Sequence, residues 1–567
     1  MSFEKFLKIF FLLTLIFTPL QVSAANGHIK LLSVSSNSEK ETGGTADLFL
    51  EVKSGSGRIF IDSFPLTKLD TQISTRFSNQ VACEFLNEDC SKYDFFYTIR
   101  ANSAIVGGPS AGSAITILTI AVLDDLKLDE KTVITGTINS GEVIGVVGGI
   151  NEKIITAARQ GFEKVLIPKW QLSFNESLIK KELGNKSITV VKISNIRDAL
   201  FHFTGKNYDS RTGSIILSEK YLNRMKSVSE KLCERTVLMQ QNIPADFNKY
   251  DAFYKNATSF YKRALESEKV MDYYSKASLC FSANIKLQNV LLSNKTVEEK
   301  KHLANQNIDF IRELNFEIEK KELLTLSDLE TFMIVKERLV EAEDFLRNSN
   351  LNNLSAYTLG YSIERAYSAY FWSDFFGLKG EILSLDDEHL KNGCLKKISE
   401  AEERINYIDL YLPGISSSAQ KELNYAYNDY YNEDFELCIF KASKAKAEAN
   451  IMMTAMGITL EQLDSMIEEK LSAIEQIILK EFDKDFFPII GYSYYEYSKT
   501  LKEEDPGLSL MFSEYALELS NLDVYFPSEK KNIFGSNFFW LFCYEILIGF
   551  LLTIIIILIS LLFKKQK

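Results

Sequence analysis

The chain has 567 residues, and at roughly 150 residues per domain that length suggests three or four domains. Apolar residues make up 46% and charged residues 25%, a composition that excludes a disordered chain. The net charge of -12 and the lack of a dense Lys/Arg block leave a nucleic-acid partner no electrostatic footprint. His28, His202, His302 and His389 show no metal-ligand spacing, so neither a metal nor a cofactor is expected.

Residues 1–24 read as a signal peptide. Lys5 and Lys8 give a positive start, Phe10 to Leu20 is nearly all apolar, and Val22-Ser23-Ala24 supplies small residues for cleavage after Ala24. Residues 27–205 hold 16 of the 27 glycines and alternate strand-like with helix-like segments. Strands are predicted at Ala46–Val52, Arg58–Ile61, Tyr97–Val106, Lys131–Thr137, Val143–Val147, Val165–Pro168 and Ser187–Ile193. Helices are predicted at Thr71–Leu86, Ala111–Leu126, Ile150–Gln160 and Ile196–Phe203. The alternation predicts an α/β or α+β domain over 25–205.

Two segments in this domain carry the chemistry. Ile105-Val106-Gly107-Gly108-Pro109-Ser110-Ala111-Gly112 follows a strand and opens an apolar helix. Small residues on both sides of Ser110 permit a sharp turn and close approach of a substrate. Pro109 suits a first helical turn, which puts Ser110 among free backbone N–H groups able to hold an oxyanion, with Gly108 and Ser110 as the expected donors. Gly148-Gly149-Ile150-Asn151-Glu152-Lys153 ends a second strand and starts a second helix. Lys153 stands at the edge of its apolar face. In a dry pocket a lysine gives up its proton more readily and can serve as general base to a serine; a solvated surface pair with Glu152 is the plainer alternative.

Beyond Gly213, Gly and Pro become scarce until about residue 530, and amphipathic runs dominate, so 206–530 is predicted to be all-helical. Aromatics recur beside small residues, as in Asp272-Tyr273-Tyr274 before Ala277, Ala366-Tyr367-Ser368-Ala369-Tyr370, Asp429-Tyr430-Tyr431 and Tyr492 to Tyr497. Large rings on alanines build the seams of helical repeats. With no clean period, a repeat array and an irregular bundle both stay open. The 26 Tyr and 40 Phe are expected in this core rather than in a ligand cage. Phe538 to Phe563 carries one charge, Glu545, and is long enough to span the hydrocarbon of a bilayer. Lys564, Lys565 and Lys567 follow, which predicts a cytoplasmic tail at 564–567 and everything from about residue 25 to 537 outside the cytoplasm. Phe538, Phe539, Trp540 and Tyr544 would form the outer aromatic belt. Cys83, Cys90, Cys233, Cys280, Cys394 and Cys438 make an even set in that exported region. Pairing of neighbours, 83–90, 233–280 and 394–438, is the simplest of the fifteen connectivities. Asn175, Asn185, Asn256, Asn294 and Asn353 head sequons that permit glycosylation.

The two site segments together resemble the proteolytic domain of the Lon family of serine peptidases, which carries Gly-Pro-Ser-Ala-Gly around its nucleophile and Gly-Gly-x-x-Glu-Lys around its base. Ser110 and Lys153 are 43 positions apart, as in that family. Thr135-Gly136 and Val165-Leu166-Ile167-Pro168 resemble two further family segments. The likeness is strong over 100–170, weaker on either side and absent beyond 205. It is greatest to the archaeal, membrane-anchored Lon-like proteins. The resemblance implies a Ser110–Lys153 dyad with Thr135 beside it, on an α/β fold related to domain 2 of ribosomal protein S5; the all-α region and one C-terminal transmembrane helix, read from the residues themselves, follow it. It also implies polypeptide substrates. A homo-oligomer, and partners of the helical region, stay open. Two positions depart from the pattern: Val106 and Gly107 stand where the family has Lys-Asp, and Thr137 replaces a Glu.

Gly108 to Gly112 also fits the G-x-S-x-G elbow of α/β-hydrolases, which needs a later histidine, and His202 is the one downstream within 27–205. An esterase and a catalytically idle scaffold are therefore rival readings. Gly136 to Gly141 starts like a phosphate loop but continues Glu142-Val143, where Lys-Ser/Thr is required. With no Walker A motif in the sequence, activity independent of ATP is expected.

Overall fold

The computed structural model describes residues 25–527, apart from 38–39, 173, 185, 209–214, 216–218, 244–251, 351–352, 483 and 485. The signal peptide and the 538–563 span lie outside the described residues; among the described ones, no helix is long and apolar enough to cross a membrane.

A seven-stranded mixed sheet organises the first part of the chain, in the order β3-β4-β2-β1-β5-β8-β9. Its strands are β1 (Ala25–Asn37), β2 (Lys40–Ser54), β3 (Ile59–Thr67), β4 (Tyr93–Val106), β5 (Thr132–Ile134), β8 (Lys164–Pro168) and β9 (Thr189–Ile193). β2 runs antiparallel to both neighbours, and every other adjacent pair is parallel. Two short strands, β6 (Thr137–Ile138) and β7 (Ile144–Gly145), form a separate hairpin. Helices α1 (Leu69–Leu86), α2 (Gly112–Leu123) and α5 (Ile196–Thr204) contribute Phe77, Val81, Ile115, Leu118, Leu200 and Phe203 to a core on one face, closed by Leu31, Leu48 and Leu50 of the sheet. On the other face, α3 (Ile150–Gln160) and α4 (Glu176–Leu183) pack Ile150, Ile154, Ile155 and Ile179 against Leu32, Val133, Val165 and Ile167.

β1 and α4 are absent from the sequence prediction. β1 is covered on both faces, so adjacent Leu31 and Leu32 are both buried, in different cores. A strand of that kind loses the alternation that marks a half-buried one. The single strand expected over Lys131–Thr137 is two pieces, with Thr135-Gly136 between β5 and β6.

From Glu219 to Leu519 the described elements are twelve α-helices and one short 3-10 turn. They range from 13 to 25 residues, without a fixed length. Aromatics far apart in sequence meet in one core. Tyr274 packs edge-on to Trp372, Tyr494 and Tyr497, and Tyr221 meets Phe375, Phe487 and Tyr492. The structure forms all three neighbouring disulfides, Cys83–Cys90, Cys233–Cys280 and Cys394–Cys438, with Cα separations of 6.1, 5.1 and 5.6 Å.

The helices are packed against the sheet domain. Ile73 of α1 belongs to the helical core. Val143 and Trp170 pack on Met466. At the centre of this contact Lys470 and Glu514 form an ion pair of 2.7 Å, both fully buried. Lys470 Nζ donates to Ser140 O and Oγ at 2.9 and 2.7 Å, and Ser140 Oγ donates to Glu514 at 2.6 Å.

Candidate active site

Pairing across the sheet puts Ala101 of β4, Ala46 of β2, Leu31 of β1 and Ile134 of β5 on one level. β4 continues past that level to Val106 and then turns. β4 and β5 run in the same direction, so the turn and Thr135 lie towards the carboxyl ends of parallel strands, where α/β sheets place their ligands.

Gly108 has φ +100°, a backbone state that L side chains rarely adopt. Pro109–Ala111 form one 3-10 turn, and α2 begins at Gly112, where an added Cβ would lie 3.1 Å from Ile138 and from Ser74 Oγ. Ser110, at the centre of the turn, is partly exposed. Its carbonyl accepts from Gly136 N at 3.1 Å and from Thr135 Oγ1 at 3.4 Å. Ser113 N and Oγ both donate to Gly136 O, at 3.1 and 3.0 Å. The serine turn and the Thr135-Gly136 segment are therefore one hydrogen-bonded frame.

Lys153 enters that frame from the other side. Gly149 (φ +64°) opens α3, and an added Cβ there would strike Val34 at 2.7 Å. One turn later Lys153 points inward with the isoleucines and is 3% exposed. Its Nζ donates to Thr135 Oγ1 at 3.1 Å. Among the described residues no carboxylate pairs with it, and burial lowers its pKa to about 8. Among the described residues no hydrogen bond joins Ser110 Oγ to Lys153 Nζ; Thr135, fully buried, connects them by accepting from Lys153 and donating to the Ser110 carbonyl.

Gly108 N–H does not face open space but donates to Asp70 Oδ2 at 3.1 Å. Asp70 stands in the first turn of α1 and also accepts from Tyr411 OH at 2.8 Å. Thr71 Oγ1 donates to Gly108 O at 3.4 Å. An acidic residue thus does reach the serine turn, from a helix start forty residues upstream and not from positions 106–107. Sequence reasoning missed both Asp70 and Tyr411, because nothing local to either marks contact with residue 108.

His202 sits on α5, where burial, helped by the charge of Lys164 at the start of β8, depresses its pKa. The Ser110 carbonyl meets the opposite end of β5, so the histidine required by an α/β-hydrolase is not placed at the serine. Among the described residues no cluster of His, Cys, Asp and Glu could hold a metal ion.

Residues 78–203 match the family described as the Lon protease (S16) C-terminal proteolytic domain. The chain is 31% identical over 108 residues to the Lon protease of Clostridium beijerinckii, covering 19% of this chain and 13% of that protein. It is 30% identical over 120 residues to the archaeal Lon protease of Archaeoglobus fulgidus, covering 21% and 19%. To the archaeal Lon protease of Methanocaldococcus jannaschii it is 34% identical over 82 residues, covering 14% and 12%. The matched segments therefore span less than a fifth of these relatives. Ser110, Thr135 and Lys153 fall inside the matched residues; Asp70 and Tyr411 fall outside.

Proposed function

We propose that the chain is a membrane-anchored serine endopeptidase, independent of ATP, in which Ser110 is the nucleophile and Lys153 the general base. The observation that carries this reading is the buried Lys153 amine, unpaired by any described carboxylate and tied through Thr135 to the serine turn. A lysine held near neutrality by burial has a proton-free fraction at working pH, which a solvated lysine lacks. Ser110 Oγ attacks the scissile carbonyl carbon while its proton passes to neutral Lys153. The C–N bond then breaks, and the proton goes from Lys153 to the leaving amine. Water, deprotonated by the same lysine, releases the acyl group. The developing oxyanion needs backbone N–H donors. Gly108 N–H can serve once it exchanges the Asp70 carboxylate for the substrate oxygen.

The signal peptide, the 538–563 span and three disulfides support a site facing outward, since disulfides persist in oxidising compartments. With no unfoldase in the chain, flexible or membrane-proximal polypeptides are the substrates it suits. The test is labelling of the full-length protein by a fluorophosphonate probe, with casein cleavage alongside. Ser110→Ala and Lys153→Ala should each lower cleavage by roughly a thousandfold or more, and the double variant should be no worse than either. Cleavage that survives in Lys153→Ala refutes the lysine base. Absence of labelling in folded wild-type protein favours the idle scaffold.

A further inference from the structure

The helical region reaches the serine turn through Asp70. Helix Asp387–Tyr411 lies antiparallel along α1: Arg404 covers the Phe77 ring, Glu403 pairs with Arg76 at 2.7 Å, and Tyr411, the last residue of that helix, meets Asp70 in the first turn of α1. Asp70 is 9% exposed. Its Oδ1 accepts from Thr71 N at 2.6 Å and from Thr71 Oγ1 at 3.2 Å. Its Oδ2 accepts from Gly108 N at 3.1 Å and from Tyr411 OH at 2.8 Å. Among the described residues, Oδ2 therefore has one donor from the sheet domain and one from the helical region. The Tyr411 ring packs on Tyr407, with centroids 5.3 Å apart. Burial of the phenol, with Tyr407 and Asp70 beside it, raises the Tyr411 pKa, so its hydroxyl keeps its proton and stays a donor.

The two donors to Oδ2 have different fates during a reaction. Gly108 N–H is the group that an oxyanion at Ser110 needs, and to serve it must leave the carboxylate. A buried carboxylate oxygen stripped of its donor is costly, because hydrogen bonds to charged groups are the expensive ones to leave unmade. That cost would cancel much of what the oxyanion gains from Gly108. With Tyr411 in place, Oδ2 keeps its shorter hydrogen bond throughout, and the carboxylate can release Gly108 without being stranded.

We propose that Tyr411 is a positioning residue of the peptidase site: its hydroxyl holds Asp70 Oδ2 while Gly108 N–H passes from that oxygen to the oxyanion. This role rests on Ser110 acting as the nucleophile, and it makes the reactivity of the serine turn depend on a residue of the helical region. Tyr411 touches Asp70 and not the reacting atoms, so its effect must vanish once the carboxylate is gone.

The test is the rate and final extent of fluorophosphonate labelling of Ser110 in the full-length protein, since the phosphonyl oxygen of the probe calls on the same donors as an oxyanion. Wild type, Tyr411→Phe, Asp70→Ala, Asp70→Asn and the two double variants are compared. Tyr411→Phe keeps the ring on Tyr407 and removes the hydroxyl. It should label to the wild-type extent but about tenfold more slowly, and kcat on casein should fall with KM unchanged. Added to either Asp70 variant, Tyr411→Phe should change the rate by less than about twofold. Asp70→Asn keeps the side-chain shape and carries the comparison if Asp70→Ala does not fold. Equal slowing by Tyr411→Phe in all three backgrounds assigns Tyr411 to packing on Tyr407 and overturns the role. So does an unchanged rate, and so does a faster one, which would make the contact a clamp that holds the site shut. A lower final extent at an unchanged rate is loss of folded protein and counts against the role in the same way. Each of these outcomes leaves the peptidase reading standing, because wild type is labelled. A folded wild type that takes no label at Ser110 overturns that reading, and the role of Tyr411 with it.

Discussion

Replacing Lys153 by Met should stabilise the protein at neutral pH while abolishing peptidase activity. Burial holds the folded-state pKa at about 8, against an ordinary value of 10.5. At 1.36 kcal/mol per unit that is about 3 kcal/mol of destabilisation by the protonated amine, an upper estimate because the lysine also bonds Thr135. The sign follows from proton counts. Below pH 8 both folded and unfolded lysine are charged and the full cost of burying the charge applies. Between pH 8 and 10.5 the unfolded chain binds more protons, so stability rises with pH and the cost disappears. The advantage of Lys153→Met in thermal unfolding should therefore be largest at pH 7 and fade by pH 10.5. The same pKa sets the rate. The neutral fraction of Lys153 grows about fivefold from pH 7 to pH 8 and levels off near pH 9, and kcat/KM should follow it. Lys153→Met that is less stable than wild type at pH 7, or a rate that is flat from pH 6 to 9, refutes the dry, proton-poor lysine.

Asp70→Ala should slow fluorophosphonate labelling of Ser110 by about tenfold through loss of positioning of the Gly108 turn; unchanged or faster labelling would show that Asp70 restrains the turn without organising it. Glu514→Ala should cost about 3–5 kcal/mol in denaturant unfolding by stranding the Lys470 charge, whereas Lys470→Met with Glu514→Leu should recover most of that loss. Residues 25–205 alone should be poorly soluble, because Ile73, Val143 and Trp170 would lose their cover from the helices; a soluble, labelled fragment would show that the sheet domain stands by itself. Non-reducing peptide mapping should recover Cys83–Cys90, Cys233–Cys280 and Cys394–Cys438, and any other pairing would contradict the helix packing around them.

What the sequence disclosed follows from the range of the forces involved. Helix α3 reads correctly from Ile150 to Gln160 because glycines flank it and its apolar spacing is local. The glycines at 108 and 149 mark positive φ, again a local demand. β1 escaped because burial on two faces erases its alternation, although it is the strand that joins the antiparallel and parallel parts of the sheet. Asp70 and Tyr411 escaped for a different reason. Their meeting at Gly108 depends on how α1 and the helix Asp387–Tyr411 dock, and docking leaves no periodic trace in either segment. The irregular helical bundle is likewise a product of long-range contact among Tyr221, Tyr274, Trp372 and Tyr492, whose small-residue neighbours are equally compatible with a repeat.

The domain contains two serine–lysine associations, and comparing them shows what turns a lysine into a base. Ser140 and Lys470 are in direct contact at 2.7 Å, closer than any contact Lys153 makes. Yet Lys470 and Glu514 are both sealed from solvent, Glu514 neutralises the ammonium at 2.7 Å, and no carbonyl could reach Ser140 without parting the helices from the sheet domain. That contact is a strut that fixes the loop after β6 to the helices. Lys153 has burial without a described counter-charge, and the partly exposed Ser110 stands at the open end of its hydrogen-bond chain. Burial lowers the pKa of both lysines, and at Lys470 a carboxylate at contact distance pulls it part of the way back up. A base therefore needs a dry pocket with no carboxylate in it and a nucleophile that substrate can reach. In this chain the helical region supplies the carboxylate to Lys470 and, among the described residues, none to Lys153, so under the proposed mechanism the packing that locks Ser140 leaves Ser110 free to react.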